Sequence, residues 1–345
     1  MKKLEPIVAG AILALAGADL CPAAEPAGAL SRAGLPDGLV APGTAPTVVA
    51  RTSFLEGPAI DVGGVLYFSD LIGNRILKMT AEGVVSVFRA DSGRTNGNTF
   101  DAEGRLISCE GAEQGPDGRR RLVRTDMTSG AVTVLTDRYE GKRYNAPNDV
   151  CVDGRGRIWF TDPYYGEDRD SLEMGSESVY RIDPDGRVTR VMSQPQIERP
   201  NGIAITPDAR TLYLIDSHPR SGGNRKVWAF EVSAAGELSG QRLVYDFGRG
   251  RGGDGMRLDV QGNLWVAAGI TLPRTSGETA DVPAGIYVLT PSGKLLGRIP
   301  VPEDVITNLA FGGPDRKTLY VTAGKSIFKV PIAVEGYALY PPGKP

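Results

Sequence analysis

GVLYFSD (Gly64–Asp70), GRLISCE (Gly104–Glu110) and GRIWFTD (Gly156–Asp162) are three copies of one pattern. A turn comes first, then an aliphatic residue, an aromatic or second aliphatic, and further β-formers. Three more copies follow: RTLYLID (Arg210–Asp216), GNLWVAA (Gly262–Ala268) and KTLYVTA (Lys317–Ala323). The aliphatic anchors Leu66, Leu106, Ile158, Leu212, Leu264 and Leu319 are separated by 40, 52, 54, 52 and 55 residues. Recurrence at so steady a period marks a repeat architecture. Each copy is followed by a strand, a tight turn and usually another strand, as in Ile76–Met79 then Val84–Phe88, or Val179–Ile182 then Val188–Met192. Ile286–Leu289 then Lys294–Ile299 repeats the arrangement, and Gly at the tips is hairpin chemistry. Four short antiparallel strands per ~50 residues, without a convincing amphipathic helix, describe a β-propeller blade. Six copies predict an all-β, six-bladed propeller over residues 47–345. The last blade ends early, so Thr47–Arg51 is expected to supply its outer strand and close the ring.

Composition narrows the function. The chain has 345 residues, with 39 Lys and Arg against 41 Asp and Glu, for a net charge of −2. A near-neutral chain without a basic block does not suit nucleic acid, whose binding rests on neutralising phosphates. His218 is the single histidine, which excludes a multi-histidine zinc site and disfavours a Ser-His-Asp triad. Cys109 and Cys151 read as separate buried thiols on strands rather than a bridge.

The N-terminus reads differently from the rest. Met1-Lys2-Lys3 is followed by an apolar run from Ile7 to Leu15 and then small residues. That is the pattern of an export signal over residues 1–24, too short to span a bilayer, with 25–46 as a linker. A periplasmic or secreted protein, monomer or weak dimer, with no membrane span, is the expectation.

The positions upstream of the anchors carry chemistry. Ten residues before Leu66, Leu106, Ile158 and Leu264 stand Glu56, Asn96, Asn148 and Asp254; eleven before Leu212 and Leu319 stand Asn201 and Asn308. Each is expected just ahead of the innermost strand of its blade, so the six should ring one end of the central channel. Asn or Asp before Gly is also ordinary turn chemistry. Glu56 has no such role, and the shared register across six repeats argues for a common task. Two carboxylates with several amide carbonyls form a hard-oxygen site suited to Ca²⁺ or Mg²⁺. Six protein ligands would leave no room for substrate, so part of the ring should not touch an ion.

These residues resemble the gluconolactonase/regucalcin (senescence marker protein) family of six-bladed propellers, above all its branch of secreted bacterial sugar lactonases, and more distantly diisopropyl fluorophosphatase. The resemblance runs from about Phe54 to Val330 and is carried by Glu56-Gly57-Pro58, Arg94–Leu106, Tyr139–Asp149, Trp159–Gly166, Arg199–Asp208 and Gly253–Ala267. It implies one divalent cation, Ca²⁺ foremost with Mg²⁺, Mn²⁺ or Zn²⁺ as alternatives, held by Glu56, Asn201 and Asp254 with Asn148 as fourth ligand or neighbour. It also implies that Arg94 and Asn96, with Asn148, hold substrate. One departure lies at the pocket rim: many bacterial members have His after Cys-Glu, where this chain has Gly111. The implied activity is hydrolysis of a sugar lactone such as glucono-1,5-lactone, with Asp254 taking or orienting the proton of the attacking water. Rival readings are a promiscuous esterase or phosphotriesterase on the same site, and a non-catalytic propeller braced by the ion that binds carbohydrate.

Among the remaining motifs, Gly248–Gly255 reads as a loop presenting Asp254 rather than a phosphate loop. Arg119-Arg120-Arg121 reads as a solvated hairpin edge, His218 as a surface-loop residue, and Tyr164-Tyr165 as packing at the channel mouth.

Overall fold

Each repeat folds as a four-stranded antiparallel sheet in the computed structural model, which describes residues 38–40, 44–112, 118–273 and 278–339. The first blade runs outward through Leu55–Ile60, Leu66–Asp70, Arg75–Met79 and Val85–Ala90. The innermost strands of the next five blades are Thr95–Phe100, Val150–Val152, Pro200–Ile205, Gly253–Leu258 and Ile306–Gly312. Sheet and turn account for the regular structure, with no helix among the described residues. The expected leader over 1–24 lies outside the described residues, as does most of the 25–46 linker.

Burial follows distance from the axis. The second strands, which carry the repeat anchors, are buried at every position from Leu66 to Asp70 and from Leu264 to Ala268, because neighbouring blades cover both faces. Outer strands face water, leaving Val87, Val132 and Val134 exposed. The core divides into six apolar clusters, one at each interface between adjacent blades. Between the first and second blades, for example, Tyr67 meets Phe88 and Phe100 edge-on at 4.9 and 5.6 Å. Such aromatic pairs add to simple area burial.

The last blade has the order Ile306–Gly312, Thr318–Ala323, Ser326–Pro331 and then Thr47–Arg51, so the N-terminal strand closes the ring. The expected linker is not wholly loose. Leu39 is buried in the last inter-blade cluster, and Val40 bridges Ile332. Cys109 and Cys151 are separate thiols on strands of neighbouring blades, and burial pushes both thiols well up from their ordinary range.

The expected solvated edge at Arg119–Arg121 is corrected at its middle residue. Arg120 is buried over the Tyr164 ring and donates to the Ser171 carbonyl and hydroxyl. Arg121 and Arg119 flank it on Glu110.

Beyond Pro331 the chain crosses beneath the channel. Gly336 bridges Asp259, Tyr337 N–H donates to the Leu258 carbonyl at 2.9 Å, and Arg316 pairs with Glu335. Tyr337, Ala338 and Leu339 thereby line a cavity at the lower end with Ile60, Phe100 and Ile205.

Candidate functional site

The six upstream residues do not precede the innermost strands uniformly, as expected; five sit inside them, at irregularities. Register shifts fall between Glu56 and Ala59, Thr95 and Asn98, Pro200 and Ile203, Gly253 and Met256, and Ile306 and Asn308. A β-bulge inserts an extra residue and re-aims a side chain out of the pleat. In the third blade Asn148 does precede its strand, with its N–H donating to the Thr161 carbonyl at 2.9 Å. The conserved geometry is therefore a bulge repeated around the channel, which is why one kind of residue recurs at one spacing.

Close approach of the inner strands requires glycine beside the bulge. Gly57 has φ +51, and a Cβ there would lie 2.2 Å from the Asn96 carbonyl oxygen. At Gly202 it would lie 2.4 Å from the Asp254 carbonyl oxygen. In three of the blades the acid that ends the anchor motif then ties down the approach to the site. Asp162 accepts from the Asn145 and Ala146 N–H groups at 2.9 and 2.8 Å, just before Asn148. Asp216 accepts from Arg199 N–H at 2.8 Å, two residues before Asn201, and Asp70 accepts from the Ser53 hydroxyl ahead of Glu56.

The result is a cavity of about 210 Å³ at the upper mouth of the channel. Glu56, Asn96, Asn148, Asn201 and Asp254 all line it. Glu56 is buried; its Oε2 accepts from Gly57 N–H at 2.9 Å and from Asn308 Nδ2 at 3.5 Å. Burial first, then the nearby Asp254 and Asp149 charges, push the Glu56 carboxyl well above its usual range. Two carboxylates gathered this closely favour a positive charge between them. Asp254 is held by the Arg251 guanidinium, which also donates to the Ile306 carbonyl at 2.9 Å. Asn201 commits its amide nitrogen to the Tyr165 hydroxyl at 2.8 Å, so its carbonyl oxygen is the atom left for a ligand. The side-chain amides of Asn96 and Asn148 have no hydrogen-bond partner among the described residues.

Asn308 separates from the set. Its Oδ1 accepts from Leu309 N–H and its Nδ2 serves Glu56, so it braces a wall residue instead of lining the cavity. Arg94 also stands apart, donating to the carbonyls of Leu71 at 3.0 Å and Ile72 at 2.8 Å. Leu71 lines the cavity, so Arg94 sits immediately behind that wall, with its backbone left-handed at φ +57.

Sequence reasoning missed Arg225, Arg251 and Glu278, all cavity-lining. None sits at a position that repeats. Arg251, three residues before Asp254, was the one within reach of a local reading. Tyr165 reaches the cavity as expected, stacked under Arg199 at 5.0 Å, while Tyr164 is buried away from it. His218 stands beside the rim residues Ser217 and Pro219; burial and the Arg199 and Arg220 charges lower it from 6.5 to about 4.

Donor chemistry fits a hard divalent cation: the carboxylates of Glu56, Asp254 and Glu278 and three amide side chains share one cavity, with no sulfur or imidazole among the lining residues. A six-bladed propeller whose bulged inner strands gather such groups at one mouth of its channel is a defined class of protein. The chain belongs to the SMP-30/Gluconolactonase/LRE-like family, whose model matches residues 54–325. It is 31% identical over 304 residues to a gluconolactonase of Zymomonas mobilis, covering 82% of this chain and 80% of that protein. A 6-deoxy-6-sulfogluconolactonase of Pseudomonas putida is 27% identical over 194 residues, covering 55% of this chain and 58% of that protein. Among solved structures, a gluconolactonase from Xanthomonas campestris superposes with a TM-score of 0.71 at 31% identity, covering 84% of this chain and 90% of that one.

Proposed function

We propose that the protein is a divalent-cation-dependent lactonase that hydrolyses a sugar lactone of the glucono-1,5-lactone type to the aldonic acid. The observation that carries this reading is the convergence of the Glu56 and Asp254 carboxylates with the amides of Asn96, Asn148 and Asn201 in one small cavity. The named activities of its relatives supply the reaction class.

Glu56, Asn148, Asn201 and Asp254 are the residues that would hold the ion, Ca²⁺ first. A dication bound there supplies Lewis acidity to the lactone carbonyl and to the attacking water. The protein's own groups do the rest. Tyr165 fixes which atom of Asn201 faces the cavity. Arg251 orients the Asp254 carboxylate, which takes or directs the proton of the attacking water. Asn96, with both amide groups open, hydrogen-bonds sugar hydroxyls, and Arg94 supports that wall from behind. The positive start and apolar run of residues 1–15 support export to the periplasm or beyond.

The test is a pH-stat assay on glucono-1,5-lactone before and after exhaustive chelation, then with Ca²⁺, Mg²⁺, Mn²⁺ or Zn²⁺ restored. The reading expects hydrolysis to vanish on chelation and return with a divalent ion. Full activity with metal absence verified by elemental analysis would overturn it.

A further inference from the structure

A buried arginine in the cavity wall has a charge that nothing in the lactonase reading uses. Arg225 is 3% exposed and lines the same cavity as Glu56 and Asp254. Its guanidinium is held by main-chain carbonyls: Nε to Gly250 at 3.1 Å, and the terminal nitrogens to Asn224 and Arg220 at 3.2 and 3.3 Å. Carbonyl dipoles orient a cation without neutralising it. No carboxylate lies within ion-pair distance of it among the described residues. Glu278, in the same wall, is its largest electrostatic counterweight, yet burial still lowers the Arg225 guanidinium from its ordinary range. A buried charge left without a paired partner is costly, so its retention calls for a partner that arrives from the cavity. Three of its five N–H donors are committed and two remain for a ligand.

Position adds direction. Arg225 opens the third strand of the fourth blade, outside the bulged ring, and packs over Gly252, where an added Cβ would lie 3.0 Å from its Cδ. A sugar whose lactone carbonyl meets Glu56 and Asp254 fills the same cavity that Arg225 lines, so its remaining substituents share that space with the guanidinium.

We propose that Arg225 is a specificity-determining residue that binds a carboxylate on the substrate remote from the lactone carbonyl, so that the preferred substrates are lactones of sugar diacids. The inference rests on the lactonase reading and extends it to a substrate class.

A matched pair isolates the group. Glucaro-1,4-lactone and glucono-1,4-lactone share their ring and differ at C6, a carboxylate in one and a hydroxymethyl in the other. The wild-type protein, loaded with Ca²⁺, should show a kcat/KM about tenfold or more higher on the glucaro compound, the scale of a charge-assisted pair. Arg225→Gln should collapse that ratio towards unity while Ca²⁺ binding by calorimetry is retained, and Arg225→Lys should restore part of it. A merely structural role would lower both substrates together and leave the ratio intact, which overturns the inference. Should Arg225→Gln fail to fold, wild-type inhibition decides: glucarate is expected to inhibit about tenfold more tightly than gluconate, and equal inhibition overturns it. Hydrolysis of the glucono compound without preference for the glucaro one defeats this inference alone. Hydrolysis of the glucono compound and of glucono-1,5-lactone with none of the glucaro compound also defeats this inference alone, and hydrolysis of none of the three defeats the lactonase reading beneath it.

Discussion

The two ends of the channel are built from the same six strands and differ in almost everything else. At the upper end the strands are bulged, and acids and amides project into an open cavity. At the lower end they alternate regularly, apolar residues such as Ile60, Phe100 and Ile205 line the space, and the C-terminal segment Tyr337–Leu339 covers it. Between them lies Asp149, buried and pushed upward by that burial, with the Arg257 guanidinium 3.5 Å away as counter-charge. One strand thus serves two purposes along its length. Regular pleating yields packing, and an interruption of the pleat yields a site.

The sharpest way to break this comparison is at Glu56 and Asp254. Glu56→Ala or Asp254→Ala should weaken divalent-ion binding and kcat/KM together, on the order of 10²-fold or more, since even partners behind a ligand cost 10–100-fold. Calorimetric titration beside lactone kinetics checks it; an unchanged ion affinity would remove the upper end's special status. At the lower end, removing residues 336–345 should cost roughly 2 kcal/mol of stability through lost apolar packing, with kcat/KM unchanged. A denaturant melt gives the first quantity. If activity falls with stability, the two ends are not independent.

Arg94→Ala and Asn96→Ala sharpen the division within the upper end. Both should retain the ion and lose kcat/KM by about tenfold per hydrogen bond removed. Asn96→Ala losing the ion as badly as Glu56→Ala would merge the two sets. The smallest effect lies at the rim. His218 has a folded-state value near 4 against 6.5 when unfolded, so the unfolded chain binds the proton more readily between them. Its contribution to stability is complete above pH 6.5 and is lost as pH falls from 6.5 towards 4. His218→Gln should flatten the melting temperature slightly over that interval. As the single histidine, its NMR resonance reports the titration directly, and a midpoint near 6.5 would refute the shift.

What the sequence revealed follows the same division. The anchors and the bulged positions repeat, so Leu66 and its counterparts disclosed the blades, and Glu56 and its counterparts disclosed the mouth of the channel. Arg225 and Glu278 do not repeat; one opens a strand and the other stands between the second and third strands of the fifth blade, and only the closed ring brings them to the cavity. The tail was illegible because it docks through backbone bonds to Leu258 and Arg316, which need no side-chain period. Arg120 was misread for a related reason. Its burial depends on Ser171 and Tyr164, far along the chain, while its immediate neighbours are arginines that reach water.

The closing strand has a consequence in time. Thr47 pairs with Lys329, 282 residues later. On a ribosome moving at ~5–20 residues per second, the first strand waits roughly 15 to 60 seconds for its partner to be made. Throughout that wait the strand has no ladder to join, and the first blade lacks the neighbour that covers its other face. The ring therefore closes only after the last strand of the sixth blade, Ser326–Pro331, has been made.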